Sequence, residues 1–344
     1  MGRDLLTRPY GRFFYLAQYL AKKGHDVNIM LLNYKNEKQQ SIVLADIKWT
    51  SISIYNSFGL AYYREINRLV KTLQPDWIIG FSDTYYGILA NWLGKKYNIP
   101  SLIDAYDNYE SYIPWLKPLH FMWRRALANA DILTAAGPNL AELIGQYNTK
   151  KHAHIIQMAP DPHFYNQLNK QECRAKFDLP ANKLLVGYSG AINRNRGIKQ
   201  LFDAIKILKS KHTDIELVLS GRLDPMITLP PNVIWLGYLN DEDIPCLLKS
   251  MDTIVAINMD SKFGNYSYPI KLYEAMINNI PVVSTSTPAT QWILSDHPEQ
   301  LAPLNNPLAL SKTIETALSK NSINYKNISS WSSVADKFEK LLMN

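Results

Sequence analysis

The sequence predicts an α/β protein of two similar-sized domains, each built around a mostly parallel sheet. Three observations carry this. At 344 residues the chain is long for one core and natural for two. Short apolar runs alternate with helical patterns along its length, as βα units require. Near the middle, the segment Met158-Ala-Pro-Asp-Pro-His-Phe contains two prolines and marks the connector.

In the first half, aromatic and aliphatic residues at helical spacing predict a helix over 11–23, stopped by Gly24 as a C′ residue. Strands are expected at 27–32, 77–81, 101–104 and 131–135, with helices at 86–97 and 139–147. The second series runs as strand 184–188, helix 198–210, strands 215–220 and 233–236, helix 241–249 and strand 253–257. It continues as helix 270–278, strand 281–284 and helix 308–319, and a separate amphipathic helix closes the chain at 331–343. A doubly wound domain normally opens on its central strand. Here only ten residues precede Gly11, so the first strand is expected to be missing or short.

Composition describes an ordinary folded chain, 47% hydrophobic and 19% charged. A net charge of +7 favours an anionic partner, either a nucleotide or an anionic membrane surface, over nucleic acid. No apolar run is long enough to span a bilayer and no signal peptide is evident. Cys173 and Cys246 lack metal-ligand spacing and favour a reducing compartment, with a single disulfide left open. His152 and His154 alternate without a third ligand, which argues against zinc. His25 reads as a turn residue.

The most informative stretch begins at Tyr268-Pro-Ile-Lys-Leu-Tyr-Glu-Ala-Met and runs into an apolar strand. Pro269 suits a helix start, and Lys271 and Glu274 then share one helical face. A cation and backbone amides can face phosphate, while a carboxylate accepts two ribose hydroxyls. The same residues also read as a capped helix with a surface i,i+3 ion pair.

Five ordered motifs resemble glycosyltransferase family 4. Gly187-Tyr-Ser-Gly190 followed by Asn193-Arg-Asn-Arg-Gly197 resembles its glycine loop and basic turn. Leu217-Val-Leu-Ser-Gly221, Asn232-Val-Ile-Trp-Leu-Gly-Tyr238 and Asp252-Thr-Ile-Val-Ala256 resemble its next strands. The Pro269–Glu274 segment matches its P-x-K-L-x-E helix, and Leu20-Ala-Lys-Lys-Gly-His-Asp-Val27 and Asn129-Ala-Asp131 have counterparts in its first domain. The resemblance implies the GT-B fold, two Rossmann-like domains facing a central cleft. Residues 1–160 would bind acceptor and 161–328 would bind nucleotide sugar. Residues 329–344 would form a helix crossing back to the first domain.

It further implies a retaining transferase without metal or other cofactor. The donor would be held by Gly11, Gly190, Arg194, Arg196, Gly197, Gly221, Arg222, Tyr238, Tyr266, Ser267, Tyr268, Pro269, Ile270, Lys271 and Glu274. The family's first glutamate is replaced by Tyr266, and Ala191 stands where an arginine is usual. Asp107, with Tyr106 beside it, follows a strand and would orient or deprotonate the acceptor hydroxyl, unless it merely caps the next helix. The acceptor is expected to be a glycan or lipid-linked, and the enzyme cytoplasmic, at the inner face of the cell membrane. The segment Trp115-Leu-Lys-Pro-Leu-His-Phe-Met-Trp-Arg-Arg125 would suit an anionic membrane, although an ordinary helix with a wet basic face is the simpler reading. A sugar-nucleotide epimerase and a silent binding subunit are the alternatives. A nicotinamide enzyme is disfavoured because no G-x-G-x-x-G follows a strand.

Overall fold

The structure, a computed structural model, describes residues 6, 9–34, 37–55, 59–81, 83–148, 152–165, 167–326 and 328–343. The elements of the first half are α1 (Arg12–Lys22), β1 (Asn28–Asn33), β2 (Gln40–Leu44), β3 (Ile47–Ser53), α2 (Leu60–Leu73), β4 (Ile78–Gly80), α3 (Thr84–Tyr97), β5 (Ser101–Ala105), α4 (Lys117–Asn129), β6 (Ile132–Ala135), α5 (Pro138–Gly145) and β7 (His154–Ile155). Those of the second are α6 (Lys170–Lys176), β8 (Leu184–Ser189), α7 (Ile198–Lys209), β9 (Ile215–Ser220), β10 (Val233–Trp235), α8 (Ile244–Ser250), β11 (Thr253–Ala256), α9 (Ile270–Met276), β12 (Val282–Thr285), α10 (Pro288–Ile293), β13 (Leu301–Ala302) and α11 (Pro307–Leu318). Helix α12 (Trp331–Met343) follows. The chain divides into two units, residues 1–158 with 329–344, and residues 159–328.

In the first unit, β4-β5-β6-β7 form a parallel sheet, and a smaller sheet has the order β1-β3-β2. Strand β1 is parallel to β3, and β2 is antiparallel to it. The cause is a two-residue turn, Ala45-Asp46, with both residues at positive φ, the geometry of a tight hairpin. Helix α1 stops at a Schellman turn, where Gly24 N donates to Ala21 O and His25 N to Leu20 O. Helix α12 belongs to this unit and packs on α1. Trp331 stacks on Tyr15, Phe338 on Phe81, and Lys23 pairs with Asp336 and Glu339. The expectation about a strand ahead of α1 falls mostly on residues outside those described.

Arg12 ties α1 to the larger sheet. Its guanidinium grips the Asp104 carboxylate in bidentate fashion at 2.7 and 2.6 Å and also donates to the carbonyl of Ile156. Both side chains are essentially solvent-free, and Thr134 Oγ1 donates to Asp104 as well. Asp104 is therefore a buried structural anion.

The second unit is a six-stranded parallel sheet in the order β10-β9-β8-β11-β12-β13. Its strands alternate between two cores, as the pleat requires. Val186, Leu217, Leu219, Val255 and Val283 join α7 and α11 on one face. Leu185, Val218, Ile254, Ala256 and Val282 join α8 and α9 on the other. Cys173 on α6 and Cys246 on α8 are joined as a disulfide, Cα atoms 5.2 Å apart, in place of the free thiols favoured from sequence. Their separation of 73 residues hid a contact made by two packed helices.

Candidate active site

In the second unit the chain winds from β8 through β9 to β10, then returns beside β8 as β11 and winds outward through β12 to β13. The winding direction reverses between β8 and β11. In open parallel sheets, ligands bind outside the carboxyl ends of the strands at such a point. The donor residues chosen from sequence in this unit follow those ends. Gly190 and the turn Arg194–Arg196 come after β8, Gly221 and Arg222 after β9, Tyr238 after β10, and residues 266–274 after β11.

The glycine loops lie against each other. Gly190 N donates to Ser220 O and Gly221 N to Gly237 O. Gly221 has φ 135°, and a methyl group there would collide with the carbonyl of Gly190. Tyr188 Oη donates to Ala191 O at 2.8 Å and pins the loop after β8. Burial pushes that phenol up to about 12, against the opposing pull of Arg196. Asn193 Oδ1 accepts from Arg196 N and caps the basic turn. Gly197, at φ 78°, then starts α7 in a conformation that a side chain would strain.

The cations separate into two kinds. Arg196 is half-buried, its guanidinium 4.5 Å from the Phe263 ring centroid, and its Nη1 donates to Asn258 Oδ1 at 3.4 Å. Lys271 is half-buried too, 5.5 Å from the Phe164 ring centroid. Arg194 is exposed. Arg222 is also exposed and lies 5.4 Å from the centroid of the Tyr238 ring.

Glu274 is the buried group of the site, 4% exposed. Lys271 Nζ approaches its Oε2 at 2.6 Å. At that distance the ammonium engages Oε2 as a tight, largely buried ion pair. The i,i+3 pair anticipated at the surface is therefore largely internal. Pro269, with φ −70°, is the N-cap of helix α9. Just before it, Tyr266 ends a short helical turn, and Ser267 and Tyr268 are buried. The Tyr268 ring meets Trp292 edge-on. Ile270 is the first residue of α9.

Sequence reasoning missed Asn258. It stands two residues beyond β11, is 2% exposed, and is held by backbone hydrogen bonds to and from Thr285 Oγ1. Its Nδ2 is buried without a partner. Buried polar atoms are nearly always paired. An unsatisfied donor beside Arg196 and the buried Lys271–Glu274 ion pair thus both lie on the chain that follows β11. No sequence signal marked Asn258, because an isolated asparagine reads as turn chemistry.

In the first unit, Gly11 is the N-cap of α1, with its carbonyl accepting from Phe14 N and Tyr15 N. Tyr106 and Asp107 follow β5. Tyr112 Oη donates to Asp107 Oδ2 at 2.5 Å, and Asn108, not Asp107, occupies the N-cap of the next helical turn. Burial, then the neighbouring Asp107 carboxylate, drives the Tyr112 phenol far above its ordinary range. Among the described residues no group of three or more His, Cys, Asp or Glu is arranged to hold a metal.

Comparison with known proteins agrees with this architecture. Residues 12–157 match the "Glycosyl transferase 4-like domain" family and residues 169–332 match "Glycosyl transferases group 1". The capsular polysaccharide biosynthesis glycosyltransferase CapM of Staphylococcus aureus is 25% identical, the match covering 89% of this chain and 84% of CapM. An alpha-monoglucosyldiacylglycerol synthase of Streptococcus pneumoniae is 18% identical over 82% of this chain and 68% of its own. Among solved structures, a sucrose-phosphate synthase from Thermosynechococcus elongatus superposes with a TM-score of 0.74 at 16% identity, covering all of this chain and 93% of that one. HepE of Anabaena, in complex with UDP and glucose, gives 0.72 at 14% identity, over 93% of this chain and all of HepE. The fold is GT-B. The chain belongs to glycosyltransferase family 4 and is a glycosyltransferase.

Proposed function

We propose that the protein is a retaining glycosyltransferase that moves a sugar from a nucleoside-diphosphate sugar to a hydroxyl acceptor in cell-envelope or surface glycan synthesis. The observation that carries this reading is Glu274, a buried carboxylate paired with the Lys271 ammonium on the helix that follows β11. A vicinal ribose diol donates two hydrogen bonds, which such a carboxylate can accept. A diphosphate matches the Lys271 and Arg196 cations, the amide of Asn258 and the glycine loops of Gly190 and Gly221.

The reaction follows from those charges. The bond between the anomeric carbon and the leaving phosphate oxygen breaks, and negative charge grows on the diphosphate. Arg196 and Lys271 stabilise that charge without a metal ion, each acting where it develops. The acceptor oxygen forms the new bond on the same face of the sugar. Its proton passes to the departing phosphate, so configuration is retained and nucleoside diphosphate is released. Asp107, fixed by Tyr112, orients the acceptor hydroxyl, with Tyr106 beside it. The acceptor class is suggested by relatives whose names refer to a capsular polysaccharide and a diacylglycerol glycolipid. The enzyme works at the inner face of the cell membrane. No helix among the described residues is long and apolar enough to cross it.

Transfer from a panel of nucleotide sugars, followed by NMR of the product's anomeric signals, tests this reading. Retained configuration supports it. Inverted configuration, or binding of a donor without release of nucleotide to any acceptor, contradicts it.

A further inference from the structure

The surface around α4 combines exposed apolar and basic side chains. Residues 111–130 contain no acidic side chain but carry Lys117, Arg124 and Arg125. Arg124 is neutralised by Glu110 through a bidentate pair at 2.7 and 2.5 Å, which leaves Lys117 and Arg125 as the exposed charges of this face. Lys117, Phe121 and Arg125 are spaced i, i+4, i+8, so they form one stripe along the helix. The opposite face, with His120, Trp123 and Leu127, is buried against the fold.

The stripe is apolar between its charges. Phe121 is 67% exposed and Met122 51%, and at the entrance to the helix Trp115 is 75% exposed. Leaving these side chains in water is unfavourable, at roughly 25 cal/mol per Å² of apolar surface. An apolar ridge bounded by two cations has one natural complement, a surface with a hydrocarbon interior and an anionic rim. Tryptophan at such a boundary buries its ring and keeps its N–H in the polar layer.

We propose that α4 and the preceding turn dock on an anionic lipid bilayer, with Trp115, Phe121 and Met122 entering the headgroup–acyl boundary and Lys117 and Arg125 on lipid phosphates. The helix lies in the interface plane, its apolar side chains reaching about 5–10 Å deep. The surface adjoins the candidate acceptor loop, because Tyr112, just ahead of Trp115 in the chain, donates to Asp107. Resting on the transferase reading above, this makes the acceptor a lipid-anchored hydroxyl presented at the bilayer.

Co-sedimentation with phosphatidylcholine vesicles, with and without phosphatidylglycerol, tests the docking surface directly. Wild-type protein is expected to pellet with the anionic vesicles only. K117E/R125E is expected to weaken that binding by about 20-fold or more, since each basic residue near an anionic surface contributes about fivefold. W115A/F121A is expected to lose binding at high salt, where only insertion remains. Both variants retain the wild-type thermal shift with nucleotide sugar, which separates this proposal from the donor site. Equal binding by all three proteins, or no vesicle binding by the wild type, overturns it. So does a wild-type dimer in sedimentation velocity that W115A/F121A converts to monomer, because the ridge is then a self-association surface.

Discussion

Lys271 Nζ lies 2.6 Å from Glu274 Oε2, with the carboxylate side chain 5% exposed and the ammonium 27% exposed. Burying an ion pair costs desolvation that the pair's attraction often fails to recover. A costly buried pair on the helix that follows β11 is better explained by ligand binding than by stability. K271M leaves the Glu274 charge buried alone and is expected to destabilise the protein by roughly 2–3 kcal/mol, just below the fully buried range because the ammonium is partly wet. E274Q keeps the shape and removes the charge. Chemical denaturation should show it close to wild type, while affinity for the productive nucleotide sugar drops by about 30-fold or more.

Asn258 gives the opposite signature. Its Nδ2 is buried without a partner, so N258A removes a group that costs stability in the free protein. The melting temperature should hold or rise, and donor affinity should fall by about 5- to 30-fold. Isothermal titration paired with thermal unfolding checks this. Lower stability with unchanged affinity would make Asn258 purely structural.

Arg12 and Asp104 anchor α1 to β5 in the dry interior of the first unit. R12M strands a buried carboxylate and is expected to cost about 3–5 kcal/mol. Urea unfolding should show the loss in the first unit, with donor-induced protection of the second unit unchanged by hydrogen exchange.

Glu216 on β9 supplies a pH dependence. Burial raises its pKa, but the hydrogen bonds from Lys183 and Lys209 outweigh burial and leave it below the usual value. With the folded value depressed, the unfolded chain binds more protons through this window. The contribution is complete above the unfolded value near 4.5 and is lost as pH falls through the folded one. E216Q should therefore be less stable than wild type by about 1 kcal/mol at pH 7, and the two denaturation curves should converge as the pH drops below about 4.

Much of the second unit was legible in the sequence, because its strands are buried on both faces and centre on apolar runs such as 217–219 and 282–283. The Lys271 and Glu274 pair was visible as i,i+3 spacing. Its burial was not, since it involves Phe164, a residue far away in the sequence whose ring lies beside Lys271. The β2–β3 hairpin escaped because Ala45-Asp46 lacks the Asn-Gly or Asp-Gly signature of such turns. Contacts at long sequence separation, Arg12 with Asp104 and Cys173 with Cys246, leave no local periodicity to find. Asp107 read equally as a helix cap, and only the fold shows Asn108 in that position and Tyr112 on the carboxylate.

The central claim is that Glu274 and Lys271 form the donor site of a glycosyltransferase. The most direct measurement is thermal unfolding of wild type, E274Q and K271M across a panel of UDP-, GDP- and ADP-sugars. The account predicts that at least one nucleotide sugar stabilises the wild type and that both substitutions abolish the shift. No stabilisation by any of them, or a shift that survives both substitutions, would contradict it.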